Sequence, residues 1–147
     1  MTNPPEDYRY CLTVPIRYRD MDTLGHVNNV VYLTYLEQAR IEYINHLGLW
    51  DGQPSEQGLI LAQSTVEYRL PLAMSDRTVD VWTRVSRLGN RSFDMAHRLI
   101  CQRDGQPAVA AEASIVMVVY NYVAGAAVPI PADWRDRLIN YEPALSG

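Results

Sequence analysis

Tyr18-Arg19-Asp20-Met21-Asp22-Thr23-Leu24-Gly25-His26-Val27-Asn28-Asn29 runs without interruption into a helical pattern that ends at Leu47, and the reading of this stretch decides the fold. Two acids, a glycine, a histidine and two asparagines stand at the mouth of the chain's longest apolar periodicity. Placing successive residues 100° apart puts Tyr32, Leu33, Tyr35, Leu36, Ala39, Tyr43, Ile44 and Leu47 on one wide arc. Thr34, Glu37, Gln38, Glu42 and Asn45 fill the remainder. An arc of that width predicts a helix from about Asn28 to Leu47 that is largely wrapped by other structure. Arg40 falls inside the arc and Glu37 at its border, at the i,i+3 spacing of an ion pair. His46 falls on the apolar side, and Gly48 supplies the stop.

Outward from this helix the chain reads as strands. Cys11 to Tyr18 alternates Leu12, Val14, Ile16 and Tyr18 against Thr13 and Arg17, a half-buried strand that Pro15 confines to an edge. Downstream, Trp50 to Gly58 is a loop, and strands are expected at 59–70, 78–88, 91–101 and 107–122. Gly89-Asn90 and Asp104-Gly105 are the hairpin signals between the last three. Ser114 to Tyr120 is apolar on both faces, as a covered central strand or a strand at a subunit contact requires. After Pro129 and Pro131, a short amphipathic helix is expected from Ala132 to Tyr141, presenting Trp134, Leu138 and Tyr141. Residues 1–9 read as a flexible leader and 10–147 as one domain. The whole is an α+β fold, a five-stranded antiparallel sheet wrapped around one long central helix.

Composition narrows the class. A net charge of −4 gives no basic footprint for nucleic acid. No apolar run is long enough for a membrane span. Cys11 and Cys101 lack CxxC spacing, so free thiols in a reducing cytoplasm are expected rather than a disulfide or a zinc site. No nucleophile elbow, phosphate loop or dinucleotide fingerprint occurs, and no cofactor is expected.

The polar stretch carries the chemistry that remains. Asp22 stands in a turn ahead of the helix, where a carboxylate can serve as general base or nucleophile. Acids before helices are commonly caps and turn residues, and by spacing alone Asp20 and Asp22 are level candidates. Gly25 permits a positive φ. Asn28 is suited to cap the helix, which leaves the amides of Asn29 and Val30 at the positive end of the dipole to hold an oxyanion. His26 is placed to meet a substrate or to bond its own loop. No second His or Glu stands at metal-binding spacing from Asp20, Asp22 and His26, so no metal is expected.

Arg17-Tyr18-Arg19-Asp20-Met21-Asp22, then Gly25-His26-Val27-Asn28-Asn29, Tyr32, Tyr35, Glu37 and Ala39-Arg40 resemble the signature of the 4-hydroxybenzoyl-CoA thioesterase family of hotdog-fold acyl-CoA thioesterases. The resemblance implies that Asp22 is the catalytic carboxylate and that the Asn29 amide is the oxyanion donor. It implies hydrolysis of an acyl-CoA to carboxylic acid and CoA in a homodimer or homotetramer, without metal or cofactor. Gly25, His26, Asn28 and Tyr32 would then contact substrate, and the CoA phosphates would be held by basic side chains for which Arg87, Arg91 and Arg98 are candidates. His26 and Asn28 stand where the aromatic-acyl members carry bulky apolar residues, which points away from a 4-hydroxybenzoyl substrate. A hotdog dehydratase or hydratase, and a non-catalytic acyl-thioester binding protein, are the alternatives.

Overall fold

The structure, a computed structural model, describes Pro5 and residues 7–146. Its first strand, β1 (Tyr10–Pro15), forms one edge of the sheet and pairs only with β3 (Thr78–Leu88), from Tyr10↔Thr83 to Pro15↔Thr78. Pro15, with no N–H to donate, thus takes the last rung of an edge strand. β1 is shorter than its alternation predicts. Beyond Ile16 the chain closes into a 3-10 turn at Tyr18–Asp20, because the Asp20 carboxylate captures the Arg17 N–H at 2.9 Å. Tyr18 is therefore exposed instead of facing the core.

The long helix α1 (Asn29–His46) follows, then β2 (Gly58–Tyr68), β3, β4 (Ser92–Arg103) and β5 (Gln106–Asn121), a two-residue β6 (Ala126–Ala127) beside β5, and α2 (Ala132–Tyr141). The strand order is β1-β3-β4-β5-β2, antiparallel throughout. Asp104 and Gly105 both have positive φ, 54° and 77°, which a two-residue turn between Arg103 and Gln106 needs. The Gly89-Asn90 connection is longer than predicted. Its last strand pair is Leu88↔Phe93, and the Gly89 N–H donates to the Ser92 carbonyl at 2.8 Å.

The inner face of the sheet packs on α1 in two clusters. Near the start of α1, Tyr32, Tyr35, Leu36 and Ala39 meet Val14, Ile16, Val79, Val81 and Leu99. Near its end, Tyr43 and Ile44 meet Val85, Phe93, Met95, Ile115 and Met117, and Trp134 and Leu138 of α2 close that end. Polar residues are buried with them as well, Asp20, Thr83, His97 and Glu142 among the described residues. His97 shares a 2.9 Å hydrogen bond with Thr83, and burial together with the Arg40 charge lowers its pKa to about 3, so it stays neutral. Glu142 accepts from Tyr43 Oη at 2.8 Å and from the Val85 N–H at 3.1 Å, beside the register break between Val85 and Arg87.

Three expectations need adjustment. The sheet covers only part of α1: Val30, Leu33 and Ile41 are exposed at 61%, 40% and 49%. β2 is the second edge, and Ile60, Leu61 and Tyr68 are exposed along it, so one side of the molecule, between α1 and β2, stays open. His46 is exposed, its ring resting against Tyr10 and Tyr141, and is not a core residue. Of the expected leader, residues 1–4 and 6 lie outside the described residues, and Tyr8 is buried against Trp82 and Ile100 on the outer face of the sheet. β5 lies between β4 and β2, with Ala113, Ile115, Met117 and Val119 inward and Val116, Val118 and Tyr120 half-buried on the other face.

The Tyr43–Glu142 contact gives the first prediction. Burial raises the Glu142 pKa, so between its unfolded and folded values the folded chain binds more protons and stability falls as pH rises. Tyr43→Phe removes a donor to that carboxylate and should cost about 1–3 kcal/mol at neutral pH in urea unfolding. The cost should shrink as pH falls and Glu142 protonates.

Candidate functional site

Local chemistry separates the two acids that spacing left level. Asp20 is 2% exposed and fully engaged. Its carboxylate accepts from the Arg17 N–H at 2.9 Å, from Arg17 Nη2 at 3.1 Å and from Tyr35 Oη at 2.7 Å. Burial alone would raise its pKa, but these hydrogen bonds and the Arg17 charge together hold it below the usual carboxylate range. Its backbone carbonyl accepts from the Asn28 N–H at 2.9 Å. Asp20 thus ties the end of β1, the middle of α1 and the entry to α1 together, and no part of its carboxylate is left for a substrate.

The loop between Asp20 and Asn28 is closed by an isolated bridge between Met21 and Val27. Within it, the Asp22 N–H donates to the His26 carbonyl at 2.8 Å and the Leu24 N–H to Asp22 Oδ1 at 2.9 Å. Gly25 has φ +83°, and its N–H reaches back to the Asp22 carbonyl at 3.2 Å. That backbone is where glycine is favoured over any residue with a Cβ. The other carboxylate oxygen of Asp22 has no hydrogen bond among the described residues. Asp22 and Gly25 line an open pocket of about 810 Å³ with Tyr18, Met21 and Thr23.

At the head of α1, Asn28 is the cap, its side chain accepting from the Val30 N–H at 2.9 Å while its carbonyl accepts from Val31 at 2.8 Å. This corrects the expectation for Val30, whose amide is occupied by the cap. The Asn29 N–H alone of that pair has no partner among the described residues. The Asn29 carbonyl, in turn, accepts from Tyr68 Oη of β2 at 3.1 Å, which pins the helix start to the open edge.

The remaining candidates divide. His26 is exposed, and its carbonyl serves the loop. Asn28 spends its side-chain oxygen on the helix. Tyr32 is placed differently from the expectation: it is buried, donating to the Leu70 carbonyl and accepting from the Leu72 N–H, both at 2.9 Å. Arg91 is exposed in the β3–β4 connection, at the end of β3 opposite to Thr78. Ten residues of strand, about 33 Å, lie between that turn and the Pro15–Thr78 end that leads to Asp22, so Arg91 does not reach the Asp22 of its own chain. Arg87 is paired with Asp94 at 2.9 Å, and Arg98 with Glu112 at 3.1 Å.

Sequence reading missed Ala73, Met74 and Ser75, which complete the pocket wall. They sit on a 3-10 turn held by Asp76, which accepts from the Ala73 N–H at 2.8 Å and from Arg103 at 2.8 and 3.0 Å. The signal was the Pro71 break followed by Asp76 three residues after Ala73, a local cap pattern with no apolar period to mark it. Among the described residues, no three His, Cys, Asp or Glu side chains gather to hold a metal.

A curled antiparallel sheet on one long helix, with an acid turn at the head of that helix, defines the hotdog class. The thioesterase-like superfamily model matches residues 16–138, and the chain belongs to that family. It resembles a Thermus thermophilus thioesterase solved with coenzyme A and zinc, at 32% identity and a TM-score of 0.81, over 95% of this chain and 98% of that one. The long-chain acyl-CoA thioesterase FadM of Escherichia coli is 23% identical over 126 residues, 85% of this chain and 93% of that protein. A 4-hydroxybenzoyl CoA thioesterase mutant bound to 4-hydroxybenzoyl CoA shares the fold, with a TM-score of 0.78 at 17% identity, over 88% of this chain and 97% of that one. The expected enzyme class, a thioester hydrolase, is borne out at the level of the family.

The Asp20 clamp gives the second prediction. Tyr35→Phe takes one donor from a buried carboxylate and should cost about 1.5–3 kcal/mol in urea unfolding at pH 7. Because the folded pKa of Asp20 is depressed, its contribution is present above the unfolded value, about 3.9, and is lost as pH falls through the folded value. The difference between wild type and Asp20→Asn should therefore close in acid.

Proposed function

We propose that the chain hydrolyses acyl-CoA thioesters, with Asp22 as the reacting carboxylate and the Asn29 amide as oxyanion donor. The observation that carries this reading is the division of labour at the helix mouth. Asp20 is committed to structure, while among the described residues Asp22 keeps an oxygen unengaged on a pocket, near the head of a helix with an uncommitted amide. The thioester carbonyl oxygen would accept from the Asn29 N–H, stabilised further by the positive end of α1. Asp22 would then attack the carbonyl carbon, or take a proton from the water that does. Collapse of the tetrahedral intermediate expels the CoA thiolate, a good leaving group; where Asp22 is the nucleophile, water then hydrolyses the resulting mixed anhydride, releasing the acid and restoring the carboxylate. Gly25 and His26 border the entrance, and Asn28 contributes by fixing the helix start.

A paired form would bring Arg91 to the site. β2 is an uncovered edge of eleven residues carrying Ile60, Leu61 and Tyr68, a ready template for a second copy. Antiparallel pairing of two such edges would bring the turn that carries Arg91 of one copy toward the helix mouth of the other, where it can meet CoA phosphate. Cys11 and Cys101 are free, which suits the cytoplasm. No helix is long and apolar enough to cross a membrane among the described residues.

Thiol release from a panel of acyl-CoAs, comparing wild type with Asp22→Asn, tests the reading. The variant should lose roughly a hundredfold or more, the scale of general-base catalysis. Turnover near wild type in Asp22→Asn would overturn the mechanism, and no turnover of any thioester by wild type would favour a binding protein.

A further inference from the structure

The open side between α1 and β2 contains a second cavity, of about 340 Å³, that the reaction site does not use. Ile41 and Ile44 of α1, Leu59 and Leu61 of β2 and Met117 of β5 form apolar walls. Three charged residues stand in this lining where an apolar pocket does not need them, Arg40, Glu37 and Asp51, and the first two are one helical turn apart. The Arg40 side chain is 13% exposed and makes no hydrogen bond among the described residues. Its one ion pair, to Glu37 Oε2, is 3.8 Å long, beyond direct hydrogen bonding, while Glu37 is 61% exposed. Burial lowers the Arg40 pKa, yet a guanidinium remains charged in proteins. The nearby His97 is neutral and cannot offset that charge.

The cavity lies in line with the helix mouth. At 100° per residue, Asn29, Leu33, Arg40 and Ile44 occupy one row of α1, and Leu33 is exposed between the two ends. β2 runs alongside, with Tyr68 bonded to Asn29 at one end and Leu59 and Leu61 at the cavity. Eleven residues of helix separate Asn29 from Arg40, about 16 Å. An extended acyl chain whose carbonyl sits at the Asn29 amide covers that distance with about a dozen carbons, given C–C bonds near 1.5 Å. At that point it meets a donor, Arg40, and an acceptor, Glu37, too far apart to satisfy each other directly.

We propose that this cavity receives the distal end of the acyl chain and that Arg40 and Glu37 select a chain bearing a terminal hydroxyl. The inference rests on the acyl-thioester reading above and deepens it. A hydroxyl fits the pair because it accepts from Arg40 while donating to Glu37, bridging a gap of 3.8 Å. A methyl end offers neither contact and leaves the guanidinium with only its long ion pair to Glu37. A carboxylate end accepts from Arg40 but faces both Glu37 and Asp51, which lines the same cavity.

The test compares kcat/KM for dodecanoyl-CoA, ω-hydroxydodecanoyl-CoA and the ω-carboxyl analogue in wild type, Arg40→Met and Glu37→Met. The expected result is a preference of roughly tenfold or more for the hydroxyl chain over the methyl chain, carried mainly by KM, with the carboxyl chain also behind the hydroxyl chain. Both variants should erase that preference. Glu37 is largely exposed, so its variant keeps the test open if Arg40→Met does not fold. Equal turnover of methyl and hydroxyl chains by wild type overturns the proposal, as does a preference that survives in either variant. If no thioester is hydrolysed, the enzymatic reading fails separately, and calorimetric Kd values for the same thioesters decide this one: a tighter hydroxyl chain supports it and equal values overturn it.

Discussion

The buried carboxylate of Asp20 is the contact on which the rest of the helix mouth depends. Its side chain joins Arg17 to Tyr35, and its carbonyl receives the Asn28 N–H. One residue thus sets the distance between the end of β1 and α1 and the point at which α1 begins. A buried charge with one donor removed is costly, because it is left without solvent or partner. Satisfied, it is a strong local constraint. The intervening loop is short, and with both ends held by the same residue its conformation is closely restricted.

That constraint makes an account of backbone donors informative. Asp22, Leu24, Gly25, Val27, Asn28, Val30 and Val31 each spend their N–H inside the protein, on His26, on the Asp22 side chain, on the Asp22 carbonyl, on Leu72, on Asp20 and twice on Asn28. Among the described residues Asn29 is left with a free N–H at the head of an eighteen-residue helix, while the other two N–H groups without a partner, those of Thr23 and His26, lie in the exposed loop. Every helix has uncommitted amides at its start. What distinguishes this one is that the cap has occupied its neighbour, so the remaining donor is single and its direction is set by α1.

Much of the fold was legible because period and punctuation agree. Thr78–Leu88 and Ala132–Tyr141 coincide residue for residue with their patterns, the first alternating with period two and the second following Pro129 and Pro131. The i,i+3 pair of Glu37 and Arg40 was legible too, since helical spacing alone brings them together. Legibility fails where a local bond overrides the period. The alternation through Tyr18 predicts a strand, but Asp20 captures the Arg17 amide and turns the chain there. It fails again where a role depends on distant partners. Nothing near Asp20 in sequence reports its bond to Tyr35, fifteen residues on, so the choice of Asp22 came from family resemblance, and the geometry now adds a physical reason for it. Arg91 looked close to the chemistry because hairpin signals carry no information about which end of the sheet they occupy.

The open side of the wrap follows from the same physics. An apolar arc predicts how much of a helix wants to be covered, not how much the sheet can reach. With β2 as an edge, the wrap stops before Val30, Leu33 and Ile41, and those side chains face solvent beside Ile60 and Leu61. Exposed apolar surface of this kind is costly unless something covers it. The same row of α1 leads from the Asn29 amide to a half-satisfied Arg40, so a chain lying along it would cover apolar surface and end on a polar pair. A second copy joined along β2 would complete that cover from the other side. The two occupants would meet at Leu61, with the backbone edge of β2 taken by the copy and the side chains between β2 and α1 by the acyl chain. The incompleteness of the wrap would therefore leave room for a long acyl chain beside a helix whose other face is buried.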